Sequence, residues 1–455
     1  MRILIVSANQ EQKPDPVVPL GAAWVAAAAE HAGHHVRLFD ACFAGERAQA
    51  LLQRNIDASR PDVVGLSLRN IDDVAWPRAH SYLPHYRSLV GVIRKAAPDA
   101  LLVLGGSAFT LMPELFLREL GADCGVAGEG EAAFVEVLDQ FKRRGTASLR
   151  NQIRRGGAIA GLRPALHLLD LPGYYARGGA LNVQTRRGCA FQCSYCTYPA
   201  LEGTNVRLQG IEGAIDDIER AVRDHDARHF FVVDNTFNHP AAHATEFCEH
   251  LIRRELDVRW TAYLSPAGIK PELLQLMARA GCSSVEYGTD AAAPATLAAL
   301  RKPFTVTDVL LASAWARKAG IRFAHSLILG GPDETPETIR ETVRVVESTQ
   351  PTAVFCMLGV RVYPGTGIAQ RAEREGLLRQ ADIGIDPVFY ISEQVRDCLE
   401  DTAREIREAR ANWYFPGLEG ERWTRFWRRR RAHGVRGPLW EWMGESREVA
   451  HGTSN

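Results

Sequence analysis

Strand-length apolar runs alternate with stretches of helical spacing, twice over, along the chain. In the first series, residues 3–7, 36–39, 63–68, 101–104 and 124–127 read as buried strands, and residues 20–32, 48–58, 82–97 and 113–120 as helices. Strands that alternate with helices predict a doubly wound parallel sheet. Ligands of such sheets sit beyond the carboxyl ends of the strands. Those ends carry Ser7-Ala-Asn9, Ser67-Leu68-Arg69-Asn70, Gly105-Gly106-Ser107-Ala-Phe109 and Gly128-Glu129-Gly130. Their glycines allow a large flat ligand to approach the backbone.

Periodicity lapses over residues 146–178, which read as a linker whose Tyr174 and Tyr175 pack. The second series follows. Strands are predicted at 181–185, 229–233, 259–263, 284–287, 322–329 and 353–360, with helices at 211–223, 242–254, 271–279, 306–318 and 336–347. Beyond it lie a charged helix at 393–410, ended by Trp413-Tyr-Phe-Pro416, and the basic aromatic run Trp423-Thr-Arg-Phe-Trp-Arg-Arg-Arg-Arg431. With Trp440-Glu-Trp442 after it, this run could hold an acidic or lipid substrate or a membrane surface; packing of its tryptophans on the mouth of the preceding domain, with arginines outward, is favoured over these. Residues after about 446 are expected to fray. The fold class is α/β. A Rossmann-like sheet spans 1–145, a linker 146–178, six β/α units 179–375, and a small, mostly helical region 376–455.

Composition narrows the function. Apolar residues make up 46% and charged residues 24%, enough for two cores, and a formal net charge of zero gives no pull toward nucleic acid. The first residues run straight into a strand pattern without a signal peptide, and no apolar stretch approaches a membrane span. A cytoplasmic setting is expected, with the nine cysteines serving as metal ligands or buried thiols.

Three of those thiols lie in Cys189-Ala-Phe-Gln-Cys193-Ser-Tyr195-Cys196, after a strand and the turn pair Arg187-Gly188. A loop that tight can give one thiolate to each of three irons of a 4Fe-4S cubane, leaving the fourth iron open to a small molecule. A structural zinc site would need a fourth ligand, and no other Cys or His lies close by in sequence.

This spacing, with Tyr195 before the third cysteine, resembles the signature of radical S-adenosylmethionine (SAM) enzymes. The resemblance implies that the six β/α units form a partial (β/α)6 barrel of TIM type, with the chemistry at the carboxyl ends of its strands. There, Asp234-Asn-Thr-Phe-Asn238 takes the place of the stretch that holds the SAM amino group. Glu286-Tyr-Gly-Thr-Asp290 falls where the family contacts the SAM ribose and carboxylate. Gly330-Gly-Pro-Asp333-Glu-Thr335 resembles a Gly-x-Pro-Gly-Glu-Thr motif, with Asp333 in a left-handed position that Asp tolerates.

The first segment resembles the cobalamin-binding domain of one large class of these enzymes, through Pro19-Leu-Gly21, Gly105-Gly-Ser107 and Gly128-Glu-Gly-Glu131. Corrinoid domains commonly place His in an Asp-x-His-x-x-Gly loop after the first strand; here that loop has none. Asp40-Ala-Cys42-Phe-Ala-Gly45 mimics the spacing but follows the second strand and holds Cys. Cobalamin is therefore expected without a protein histidine on cobalt. Arg69 is expected near its lower face, against the alternative of a surface pair with Asp72 or Asp73.

The resemblance implies three cofactors: the 4Fe-4S cluster on Cys189, Cys193 and Cys196, SAM, and cobalamin. Cofactor contacts are expected from Leu68, Arg69, Asn70, Gly106, Ser107, Phe109, Gly128, Glu129, Gly130, Tyr195, Asp234, Glu286 and His325. Tyr263, His325 and Tyr363 are candidate bases, although His325 also fits a satisfied core position. The implied activity is methylation of an unactivated carbon of a small-molecule, lipid or peptide substrate, through a 5′-deoxyadenosyl radical and methylcobalamin. The electron would come from an external flavodoxin- or ferredoxin-type donor. The alternative is a non-methylating rearrangement or carbon–carbon bond formation, with the cobalamin domain modified or vestigial.

Overall fold

The computed structural model describes residues 1–419 and 421–446. Its first sheet contains β1 (Arg2–Ser7), β2 (His35–Asp40), β3 (Val63–Ser67), β4 (Leu101–Gly105), β5 (Cys124–Gly128) and β6 (Gln152–Gly156), all parallel, in the order β2-β1-β3-β4-β5-β6. Side chains alternate across it. Ile3 and Ile5 face the helices Leu20–His31 and Glu131–Arg144, while Leu4 and Val6 face Ala48–Ser59 and Leu83–Ala96. The chain reverses its direction of progress between β1 and β3, which opens a crevice at their carboxyl ends.

β6 corrects the reading of 146–178 as a linker. Its residues are half-buried or exposed, so no apolar run marked it, yet all five pair with β5. The helix Leu171–Gly178 lies in the same stretch, with Pro172 in its first turn and an Asp170 cap donated to by the Gly173 N–H. Tyr174 packs as expected and donates to Asp40 at 2.5 Å.

The second sheet opens with β7 (Leu181–Val183). Next come β8 (Arg186–Arg187) and β9 (Arg207–Leu208), an antiparallel ribbon that brackets the cysteine loop. Parallel strands continue with β10 (His229–Val232), β11 (Arg259–Leu264), β12 (Cys282–Asp290), β13 (Arg322–Leu329) and β14 (Ala353–Leu358). β15 (Val360–Arg361) pairs antiparallel with β16 (Phe389–Tyr390), and β17 (Trp413–Tyr414) adds a seventh parallel strand beside β14.

β17 corrects the reading of Trp413 as a helix end. Its two residues carry no period of their own, and the buried Trp413 joins the core of β13 and β14. The preceding helix is Leu399–Ala409, shorter than the predicted 393–410. Asp333 has φ 57°, as the turn requires. In the C-terminal region, Trp427, Trp440 and Met443 pack on Ala324 and Ala353, toward the amino ends of β13 and β14. They close the floor of the barrel rather than its mouth. The expected fraying after 446 lies outside the described residues.

Candidate active site

The cysteine loop is pinned at both ends. Gly188 has φ 85°, and a Cβ there would lie 2.0 Å from the Asn205 carbonyl oxygen, so the Arg187-Gly188 turn admits only glycine. The Cys189 N–H donates to Gly203 at 3.2 Å, and the Ser194 N–H to Leu300 at 3.0 Å. Cys189 is buried, and Cys193 and Cys196 are half-buried. Burial raises the Cys193 thiol and pushes Cys196 up to about 12, with each of the other two thiols a further neighbouring charge. Among the described residues, no three Cys, His, Asp or Glu converge on a single metal ion. Three neighbouring thiols without a common centre suit a cubane, in which each takes its own iron, better than one zinc ion.

Tyr195 anchors this loop. Its hydroxyl donates to Asp290, which also accepts from Lys302 Nζ at 2.5 Å, and Lys302 lies 5.8 Å from the Tyr195 ring. Asp234 is fully buried beneath it. Its carboxylate accepts from the Thr185 N–H at 2.7 Å, the Thr185 hydroxyl at 2.5 Å and the Arg186 N–H at 3.1 Å. Burial lifts it to about 6. All those bonds tie β10 to the turn before β8, so Asp234 positions the cysteine loop instead of presenting oxygens to a cofactor.

A cavity of about 510 Å³ opens where the two sheets' carboxyl ends face each other. One wall holds Arg69, Asn70, Gly106, Ser107, Gly128 and Gly130. The other holds Tyr198, Leu201 and Glu202, just after the cysteine loop, together with Phe231 and Tyr263. A slot continues down between β3 and the helix Leu20–His31, past Ile5, Val25, Val103 and Phe134. Gly65 makes it possible, because a Cβ there would lie 2.9 Å from Ile5 Cδ1. Gly106 lies against Leu68, whose carbonyl oxygen would be 2.4 Å from a Cβ. A broad opening with a narrow apolar slot fits a corrin ring with a side arm, and no histidine lines it among the described residues. Arg69 is exposed within the cavity and forms no ion pair among the described residues. Its alternative partners are occupied: Asp72 pairs with Arg361 at 2.8 Å, and Asp73 accepts backbone N–H groups.

Several expected contacts lie elsewhere. Leu68 and Phe109 are completely buried in the first core, and Phe109 fills the space above Gly125. Cys42 is buried too. Glu129 lines the cavity, but its carboxylate accepts from Arg207 at 2.6 Å and from the Ala158 N–H at 3.1 Å. His325 is fully buried between Thr289, at 2.7 Å, and Thr349, at 3.2 Å, and stacks on Tyr287. Burial lowers it to about 3, so it is a neutral core histidine rather than a base or cofactor contact. Tyr363 lies beside Arg361 at 4.7 Å, outside the cavity, with its phenol held protonated by burial.

Tyr263 does reach the cavity, 4.8 Å from Phe231. Its ring is exposed to the cavity, and the low-dielectric surroundings together with the neighbouring Glu286 and Tyr198 raise its phenol above the ordinary value. It therefore donates hydrogen bonds and does not serve as a base near neutrality. Glu286 is buried on the same sheet, opposite Tyr263 in register. It accepts from Trp440 Nε1 at 2.8 Å, and burial lifts it to about 7.

The sequence reading noted Trp440 only as part of the C-terminal aromatic region and not as a partner of Glu286, from which it is 154 positions distant in the chain. It also omitted the pairing of Arg187 with Glu131 at 2.6 Å, although both stand in motifs noted for other reasons. That contact joins the cysteine loop to the first domain, with the Arg187 guanidinium 5.0 Å from the Trp24 ring.

Comparisons agree with this geometry. The model of the B12 binding domain matches residues 13–138, and that of the Radical SAM superfamily residues 183–346. An uncharacterized methyltransferase of Pyrococcus horikoshii, PH0819, is 26% identical over 431 residues, covering 88% of this chain and 91% of that protein. Tryptophan 2-C-methyltransferase of Streptomyces laurentii is 23% identical over 441 residues, covering 80% of this chain and 73% of that protein. Among solved structures, the radical SAM methyltransferase TsrM of Kitasatospora setae, with tryptophan and a SAM analog bound, superimposes with a TM-score of 0.85 at 22% identity. It covers 99% of this chain and 98% of that chain.

Proposed function

The chain belongs to the cobalamin-dependent radical SAM enzymes, and we propose that within that family it is a C-methyltransferase acting on a small organic acceptor. The observation that carries this reading is the cavity whose facing walls come from the strand ends of both domains. Methyl transfer in the names of both long relatives favours it over the non-methylating alternative. When bound, the cofactors supply reductive cleavage of SAM and a methyl donor on cobalt.

The chain's own part is holding and shaping. Cys189, Cys193 and Cys196 would hold the cluster. Asn70, Gly106, Ser107, Gly128 and Gly130 would hold the corrin, with its side arm in the slot over Gly65. Arg69, whose guanidinium does not readily coordinate a metal, would lie against the corrin. Glu286, bonded to Trp440 and not among the residues that line the cavity, would support the site from behind rather than touch SAM or the acceptor. Phe231, Tyr198 and Tyr263 would exclude water from the acceptor and orient it, and the Tyr263 phenol would donate to an acceptor atom. The electron would come from a flavodoxin- or ferredoxin-type donor. No helix among the described residues is long and apolar enough to cross a membrane.

The test is anaerobic reconstitution with iron, sulfide and cobalamin. It reads the corrin spectrum, 5′-deoxyadenosine, and transfer of a deuterated methyl group from SAM to candidate acceptors. Methylation accompanied by 5′-deoxyadenosine supports the radical route. Methylation without it favours a polar route. A protein that retains no corrin refutes the reading.

A further inference from the structure

A second cavity, of about 350 Å³, lies apart from the cofactor cavity, where the loop before the helix Leu20–His31, the helix Leu171–Gly178 and the helix Glu421–Ala432 meet. Its floor carries Asp15, held by Arg431 through two bonds of 3.0 and 2.8 Å, which leaves that pair electrically neutral. Arg431 is buried, and its remaining nitrogen donates to the Val435 carbonyl at 3.0 Å. The rim carries Lys13, Arg177 and Arg428, and none of the three forms an ion pair among the described residues. Among the described residues, Asp15 is the only acidic one lining the pocket. One side is apolar and aromatic, built by Tyr414, Trp427 and Leu439.

We propose that this pocket binds a small organic anion: a phosphate or carboxylate group held by Arg177, Arg428 and Lys13, with an aromatic or aliphatic body against Trp427, Tyr414 and Leu439. Guanidinium forks match such oxyanions, and a concave site with an apolar side matches a ligand that has a body as well as a charge. The same side chains spread over a flat face would suit a lipid surface. Here they surround a hollow, formed where the basic aromatic run noted in the sequence closes on two other segments.

Calorimetric titration of the full chain with phenyl phosphate tests this. Saturable binding is expected, weaker with inorganic phosphate, which lacks the body, and absent with benzyl alcohol, which lacks the charge. The double variant Arg177→Gln/Arg428→Gln should bind phenyl phosphate at least tenfold more weakly, with a melting temperature within a few degrees of wild type, because both side chains are exposed and only the Arg177 contact with the Phe43 ring, at 4.2 Å, is lost. No binding by the wild type at millimolar phenyl phosphate overturns the proposal, as does equal binding by the double variant. Sedimentation with phosphatidylglycerol vesicles that is lost in the double variant and not competed by phenyl phosphate also overturns it, in favour of a membrane contact.

Discussion

Glu286 gives the sharpest test of how the barrel interior is built. Burial raises its carboxyl from 4.5 to about 7, against the opposing hydrogen bond from Trp440. A folded-state value above the unfolded one means that the folded protein binds the proton more tightly. The associated stability is fully present below pH 4.5 and is lost as pH rises through 7. From 4.5 to about 7 the loss is roughly 3 kcal/mol. Glu286→Gln keeps an oxygen for the Trp440 indole and removes the titration. In the metal-free protein, the variant and wild type should melt alike near pH 4.5 apart from a constant offset. The variant should then gain on the wild type up to pH 7 and hold a plateau above it, worth roughly 3–8 °C. All other titrating groups are common to both proteins and largely cancel in the difference. Trp440→Phe removes the only hydrogen bond that lowers the carboxyl, so its window should move to higher pH. Melting curves of Glu286→Gln and wild type that stay parallel from pH 4.5 to 8 would show that the carboxyl ionises at its ordinary value, and the account of the barrel floor would fail.

Arg187→Met should leave Glu131 buried and unpaired at the domain junction, lowering stability by about 3–5 kcal/mol. Thermal melting checks this, and Glu131→Gln in the same chain should recover part of the loss. Cys193→Ser should lower cluster iron, measured by colorimetric assay, while leaving the retained corrin's absorbance unchanged; Cys42→Ser should change neither. Gly65→Val should abolish corrin retention by filling the slot between Ile5 and Phe134, with near-normal iron content. His325→Leu should cost about 1–3 kcal/mol by removing the ring's hydrogen bonds to Thr289 and Thr349, whose hydroxyls keep only backbone carbonyl partners, yet leave 5′-deoxyadenosine formation within a few-fold of wild type at low temperature.

What the sequence disclosed followed from the range of the interactions involved. Period and turn chemistry are local, so the helices Pro113–Leu120, Pro271–Arg279 and Val306–Lys318 match their predicted limits. The left-handed turn at Asp333 was legible for the same reason. β6 and β17 escaped because each is specified by the edge it pairs with rather than by its own pattern. At the site, the glycine-rich strand ends marked the cavity wall correctly, since approach of a ligand to the backbone is a local requirement. Leu68 and Phe109 share those stretches but point into the core, a choice set by strand direction and packing beyond the motif. Asp234 was found in the right place and given the wrong partners, because Thr185 and Arg186 come from a different strand.

The same reasoning explains why charge is concentrated where the domains meet. Three arginines reach acids from the other side: Arg187 to Glu131, Arg361 to Asp72, and Arg431 to Asp15. Side-chain exposure is 7% and 2% in the first pair and 3% and 0% in the second, so both are desolvated. Desolvation largely offsets attraction in such pairs, and they add little net stability over an apolar seam. They differ from an apolar seam in tolerance. Two greasy faces can slide by a fraction of a side chain at small cost, whereas displacing either arginine strands a buried carboxylate. The cavity between the strand ends is only useful if its two walls keep their separation, and Arg187 is two residues from Cys189 while Glu131 immediately follows Gly128-Glu-Gly130. The pair thus ties the cysteine loop directly to a turn in the facing cavity wall, and the separation of the two walls is set at the place where an error would matter most.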